Sequence, residues 1–94
     1  MDFEWDENKN QINIQKHGVS FEAARGIFSG EIFTREDRSI DYNEVRLTSI
    51  GEINGCVVLV VAHTDRFGSI RIISARKALP KERRSYYEYL KRRT

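Results

Sequence analysis

The spacing of hydrophobic and polar positions changes twice along this 94-residue chain. Phe3 and Trp5 alternate with acidic neighbours, a short strand-like start. Residues 7–17 follow as a helix, because Asp6 suits an N-cap and Gly18 sits where a left-handed C-cap belongs. The apolar face of that helix is thin, Ile12 with Trp5 and Val19 at its ends, so it is expected to lean on the core without crossing it. Ser20 caps a second helix over residues 21–28, where Phe21, Ala24, Ile27 and Phe28 keep the 3.6-residue period and Ser29-Gly30 closes the element. Ile32-Phe33-Thr34 reads as a brief edge strand and residues 35–42 as a charged loop.

From residue 44 the period becomes two. Val45 and Leu47 face one side, and Glu44, Arg46 and Thr48 the other, as in a half-buried strand. Asn54-Gly55 predicts a type I′ hairpin. Residues 56–62 are apolar on both faces and belong at the centre of a sheet. Asp65-Arg66-Phe67-Gly68 makes the return turn, and residues 69–75 form the third long strand. Leu79-Pro80 opens a terminal helix with an inner stripe of Leu79, Arg83, Tyr86, Tyr87 and Leu90. The pattern predicts an α+β fold in one domain over residues 1–94. It consists of a small antiparallel sheet (a three-strand meander plus short N-terminal and edge strands), two N-terminal helices and one C-terminal helix.

Composition adds boundaries. With 39% hydrophobic and 32% charged residues and a single proline, the chain can bury one core. No apolar run approaches the roughly 20 residues that span a bilayer, and the acidic Met-Asp-Phe-Glu-Trp start is unlike a signal peptide. A lone Cys56 cannot form an intramolecular disulfide, and a cytoplasmic location is expected. Two histidines and one cysteine, widely spaced, match no standard metal-site spacing, so neither metal nor cofactor is expected. Charge changes the picture more. Residues 71–94 carry nine basic against two acidic groups, a net +7, while residues 1–70 carry seven against twelve, a net −5. A compact basic surface beside aromatic rings is the footprint of a phosphate-binding protein, with RNA the first candidate.

If a protein of this kind also cut the RNA it held, without a metal ion, the neighbouring 2′-hydroxyl would be the nucleophile. Such cleavage requires a base near that hydroxyl, a donor to the leaving 5′-oxygen and positive charge on the phosphate. Arginine suits the last task because its planar fork bonds two phosphate oxygens together. Arg46, Arg71 and Arg76 are the candidates, with surface solvation or ion pairing as the alternative for each. Arg71 and Arg76 are five apart and converge on one face only if the strand ends or bulges near residues 74–75. His17 is an acid–base candidate, with Lys16 as the alternative from the same turn; His17 equally suits a helix-ending residue. His63 reads as a satisfied strand-end residue, with a place in the site as the lesser alternative. Tyr86, Arg83 and Lys77 are candidates for substrate contact, although Tyr86 also fits the core at helical spacing.

Specific strings carry more than periodicity. Phe3-Glu4-Trp5-Asp6, Lys9, Asn13 and the run from Lys16 to Ala24 (KHGVSFEAA) resemble the N-terminal signature of the BrnT toxin family. The run from Arg71 to Ala78 (RIISARKA), with Glu82-Arg83 and Tyr86, resembles its C-terminal signature, and Arg46 and Ile50-Gly51 its middle strand. The resemblance spans almost the whole chain and is least over residues 35–42. It implies a RelE-like fold, a ribonuclease that arrests growth, and neutralisation by a BrnA antitoxin whose ribbon-helix-helix domain binds operator DNA for the complex. A non-catalytic nucleic-acid-binding module, or a subunit whose basic helix only docks an acidic partner, is the alternative.

Overall fold

In the computed structural model, which describes residues 1–37 and 45–93, the chain forms a five-stranded mixed sheet and three α-helices. The elements are β1 (Asp2–Glu4), α1 (Glu7–His17), α2 (Phe21–Ala24), a 3-10 turn (Arg25–Ser29), β2 (Phe33–Asp37), β3 (Arg46–Ile53), β4 (Val57–Arg66), β5 (Ser69–Lys77) and α3 (Pro80–Arg93). The strand order is β1-β5-β4-β3-β2, with β1 parallel to β5 and every other pair antiparallel. The apolar run thus lies at the centre: Leu59 and Val61 are buried on one face of β4, Val58 and Val60 on the other. The remainder of the loop expected over 35–42, and Glu44, lie outside the described residues.

Local signals set the element ends. The Asp6 carboxylate accepts the Asn8 and Lys9 amides at 2.8 and 3.2 Å, and Gly18 ends α1 at φ 71°. Asn54 and Gly55 are both left-handed (φ 54° and 76°), and the Cys56 amide donates to the Ile53 carbonyl at 3.3 Å, as a type I′ turn requires. The β4–β5 turn is tighter than expected, with only Phe67 and Gly68 between the paired Arg66 and Ser69.

Four expectations are corrected. The second helix is α-helical only to Ala24 and then tightens into the 3-10 turn, which sets Ile27 against Gly51. A Cβ at Gly51 would lie 2.7 Å from the Ile27 Cβ, so this approach requires glycine. Residues 35–37, read as loop, extend β2, because each finds a ladder partner on β3. Helix α1 does not dock through Ile12, which is 62% exposed; it buries Asn10 and Asn13. The Asn10 Oδ1 accepts the Phe21 amide at 2.9 Å. The Asn13 amide donates to the carbonyls of Val19 and Ala75, both at 2.8 Å, and accepts the Ala75 amide at 3.2 Å. Past the end of β1, that side chain takes the place of a neighbouring strand on the β5 edge.

Helix α3 is rotated from its expected stripe. Leu79 and Arg83 are exposed and Tyr87 is at the surface, its hydroxyl donating to Glu52 at 2.6 Å. The sheet-facing side chains are Glu82, Ser85, Tyr86, Tyr89 and Leu90, with Tyr89 stacked on Phe33 at 4.6 Å. Polar anchors and ring stacking, more than aliphatic burial, set the rotation. The sheet therefore has two unlike faces. The core face carries Phe21, Ala24 and Ile27 against Leu59, Val61, Ile70 and Ile72. The far face is covered by α3 over β2 and β3.

Candidate functional site

Register decides where the arginines point. Arg71 pairs with Thr64 and Arg76 with Val60, and those two β4 residues are four apart, so they share a face. Between them the register slips: Ala62 pairs with Ser74 but His63 with Ile72, leaving Ile73 as an extra residue in β5. The bulge restores the parity that five-residue spacing breaks, one position earlier than the residue pattern suggested. Arg46 precedes the Leu47–His63 pair and has the parity of Thr48, the partner of Ala62, so it also lies on the far face. Asp37 is its cross-strand partner on β2.

The three arginines differ in their bonds. Arg71 is half-buried and makes no side-chain hydrogen bond or ion pair among the described residues. Arg76 grips Glu82 with two bonds, 2.7 and 2.9 Å. The same carboxylate accepts the Leu79 amide at 2.8 Å, as an N3 glutamate does at a helix start. The hydrogen bonds from Arg76 hold the Glu82 carboxyl below its usual range, and Glu82 in turn raises Arg76. Arg76 therefore latches α3 to β5 in addition to adding charge. Beside this latch lies a cleft of about 230 Å³ lined by Phe33, Arg35, Thr48, Ile50, Lys81 and Glu82. Arg35 and Lys81 escaped the sequence reading: Arg35 sat in a segment taken as loop, and Lys81 was one charge among many in a basic helix.

Other candidates lie elsewhere. Lys16 and His17 are exposed at the end of α1. That end meets the core face, where Ile14, Gly18, Val19 and Leu59 line a pocket with Lys77. Lys77, opposite Leu59, also has the parity of the core face and not of the arginine row. Tyr86 is only 3% exposed and its hydroxyl donates to the Glu31 carbonyl at 2.8 Å, so it docks α3 and is not presented for base stacking. Arg83 stands exposed on α3.

His63 is a buried, satisfied strand residue, as read from the sequence. Its Nδ1 pairs with Asp65 at 2.9 Å and its Nε2 with the Ser49 hydroxyl at 2.7 Å, and Ser49 also meets the Thr34 hydroxyl at 2.8 Å. Burial pushes the imidazole down, against the opposing pull of Asp65. The chain Asp65–His63–Ser49 has the order of a hydrolase triad, but Ser49 is fully buried and its hydroxyl is already engaged on both sides, by Thr34 and His63. Its place is structural, with Phe28 edge-on to the ring at 5.0 Å.

A small α+β sheet that hides its core on one face and lines up arginines on the other is the framework of a polyanion-handling protein. The comparisons with known proteins make this specific. Residues 5–82 match the family model described as the ribonuclease toxin, BrnT, of type II toxin–antitoxin systems, and the chain belongs to that family. Among solved structures it is similar to the Brucella abortus ribonuclease toxin, BrnT, with 32% identity and a TM-score of 0.63 over 84% of this chain and 97% of that one. No curated protein sequence matches significantly. Membership in a type II toxin family implies an antitoxin partner. No helix among the described residues is long and apolar enough to cross a membrane.

Proposed function

We propose that the far face of the sheet is the RNA site and that this chain cuts RNA without a metal ion, using the substrate's own 2′-hydroxyl. The observation that carries this reading is the bulge at Ile73, which sets Arg71 and Arg76 on one face with Arg46. Arg71, unpaired within the described residues, is the guanidinium for the phosphate as charge builds. Arg46 adds positive potential beside it. Arg76 holds the helix that walls the site. Lys16, His17 and Lys77 extend the positive surface to the other side of β5, where they suit flanking phosphates. His17 and Lys16 stay the acid–base candidates if the RNA wraps that edge.

In the cell this activity would arrest translation and growth in the cytoplasm. A BrnA-like antitoxin with a ribbon-helix-helix domain would neutralise the toxin, and operator DNA would be bound only by the complex. The test is cleavage of single-stranded RNA by the purified chain with and without EDTA, alongside Arg71→Ala. The expected result is cleavage in both buffers and a loss on the order of 100-fold in the variant, the usual scale for removing one preorganised donor. Loss on chelation that a divalent ion restores overturns the metal-free mechanism. Tight binding with no turnover favours the non-catalytic module.

A further inference from the structure

Thr64 is 6% exposed, yet its Oγ1 is buried with no hydrogen-bond partner among the described residues. A buried hydroxyl left without a partner destabilises the fold. The same sheet shows how the protein treats another buried hydroxyl: Ser49 is bonded on both sides, to Thr34 and His63. Valine is the expected occupant at position 64, since it has the same shape and already fills Val58 and Val60 on that face of β4. A threonine here retains a cost that the fold does not need.

Its neighbours explain what the hydroxyl lacks. Arg71 is its cross-strand partner on β5, and on β3 the position before the Leu47–His63 pair is Arg46. A guanidinium carries donors only, so neither side chain can accept the hydroxyl proton. The two cross-strand neighbours of the hydroxyl are thus donors, and the carboxylates of the same row, Asp37 opposite Arg46 and Glu4 opposite Arg71, stand one strand further out. A phosphodiester supplies an acceptor, because each non-bridging oxygen has lone pairs for several donors.

We propose that Thr64 donates its hydroxyl proton to a non-bridging oxygen of the RNA phosphate that Arg71 holds. The assignment rests on the ribonuclease reading above and adds a substrate-contacting residue in the centre of the sheet. Directly opposed residues of antiparallel strands hold their Cβ atoms about 4.5–5.5 Å apart; the Oγ1 is covered in the free protein, so the long Arg71 side chain beside it must shift to bring a phosphate onto the hydroxyl.

The experiment compares the wild type with Thr64→Val and Thr64→Ser in three measurements: thermal midpoint, cleavage of RNA carrying a single Rp or Sp phosphorothioate, and binding of 2′-O-methyl RNA, which cannot be cut. Thr64→Val should fold with an unchanged or higher midpoint and cleave on the order of 100-fold more slowly, the scale of losing one transition-state donor. Thr64→Ser should recover most of that rate. The wild type should be slowed more by one phosphorothioate isomer, and Thr64→Val should no longer distinguish the two. Normal cleavage by a folded Thr64→Val, a retained isomer preference, or failure of that variant to fold overturns the proposal. A wild type that binds the 2′-O-methyl RNA but cuts nothing overturns the nuclease reading alone. Thr64 is then judged on binding, where several-fold weaker affinity of Thr64→Val supports the contact and equal affinity overturns it. A wild type that neither binds nor cuts RNA overturns both.

Discussion

Replacing Asn13 by alanine tests how α1 is attached. Strand β1 pairs with β5 only as far as Arg71; at Ala75 the outward amide and carbonyl are met by one asparagine side chain. Asn13 makes three bonds, to the Val19 carbonyl and to both polar groups of Ala75, and is itself 6% exposed. At a net value near 1 kcal/mol each, the bonds contribute about 3 kcal/mol, and partners left buried and unpaired raise the loss toward about 5 kcal/mol. For a domain of this size each kcal/mol moves the midpoint by roughly 4–8 °C, so a loss of about 3–5 kcal/mol should lower the Asn13→Ala midpoint by about 12–40 °C. Urea unfolding followed by circular dichroism should show a reduced midpoint with unchanged slope. The exposed Gln15→Ala in the same helix is the control and should stay within about 0.5 kcal/mol of the wild type. Asn13→Asp should lose at least as much at neutral pH, because a carboxylate cannot donate to either carbonyl, and should recover in part as acid protonates it. A loss below about 1 kcal/mol in Asn13→Ala would show that α1 is held by something other than this amide.

Arg76→Ala should lower stability by only about 1 kcal/mol, since the pair with Glu82 is partly exposed and screened, while Glu82→Gln should weaken the latch without reducing cleavage; thermal melts and RNA assays on both variants separate the two roles. His63 titrates low in the fold because burial disfavours its charged form. Its contribution to stability is therefore complete above its unfolded value of about 6.5 and declines as pH falls below it. His63→Gln should flatten the change in unfolding free energy between about pH 7 and pH 5.5, and an identical slope in both proteins would refute this. Tyr86→Phe should cost about 1 kcal/mol through the bond to the Glu31 carbonyl and leave cleavage intact; a large loss of rate at unchanged stability would place the hydroxyl on the substrate.

Much of the fold was legible in the chain because its signals are local. Asp6 and Gly18 bound α1 by satisfying or redirecting the backbone within a few residues, and Asn54-Gly55 turns the β3–β4 hairpin. The two-sided apolar run of β4 requires cover on both faces, which places it centrally wherever its partners lie. The strings around Lys16–Ala24 and Arg71–Ala78 pointed to the family that residues 5–82 match. Tertiary structure decided what depends on distant partners. The pairing of β1 with β5, the rotation of α3 onto Glu82, Tyr86 and Tyr89, and the Asn13 bond across 62 positions have no local signature. Side-chain alternation makes Arg71 and Arg76 diverge, and the extra residue at Ile73 makes them agree. That residue is visible only against β4, because a bulge is a mismatch between two strands and neither strand alone contains it.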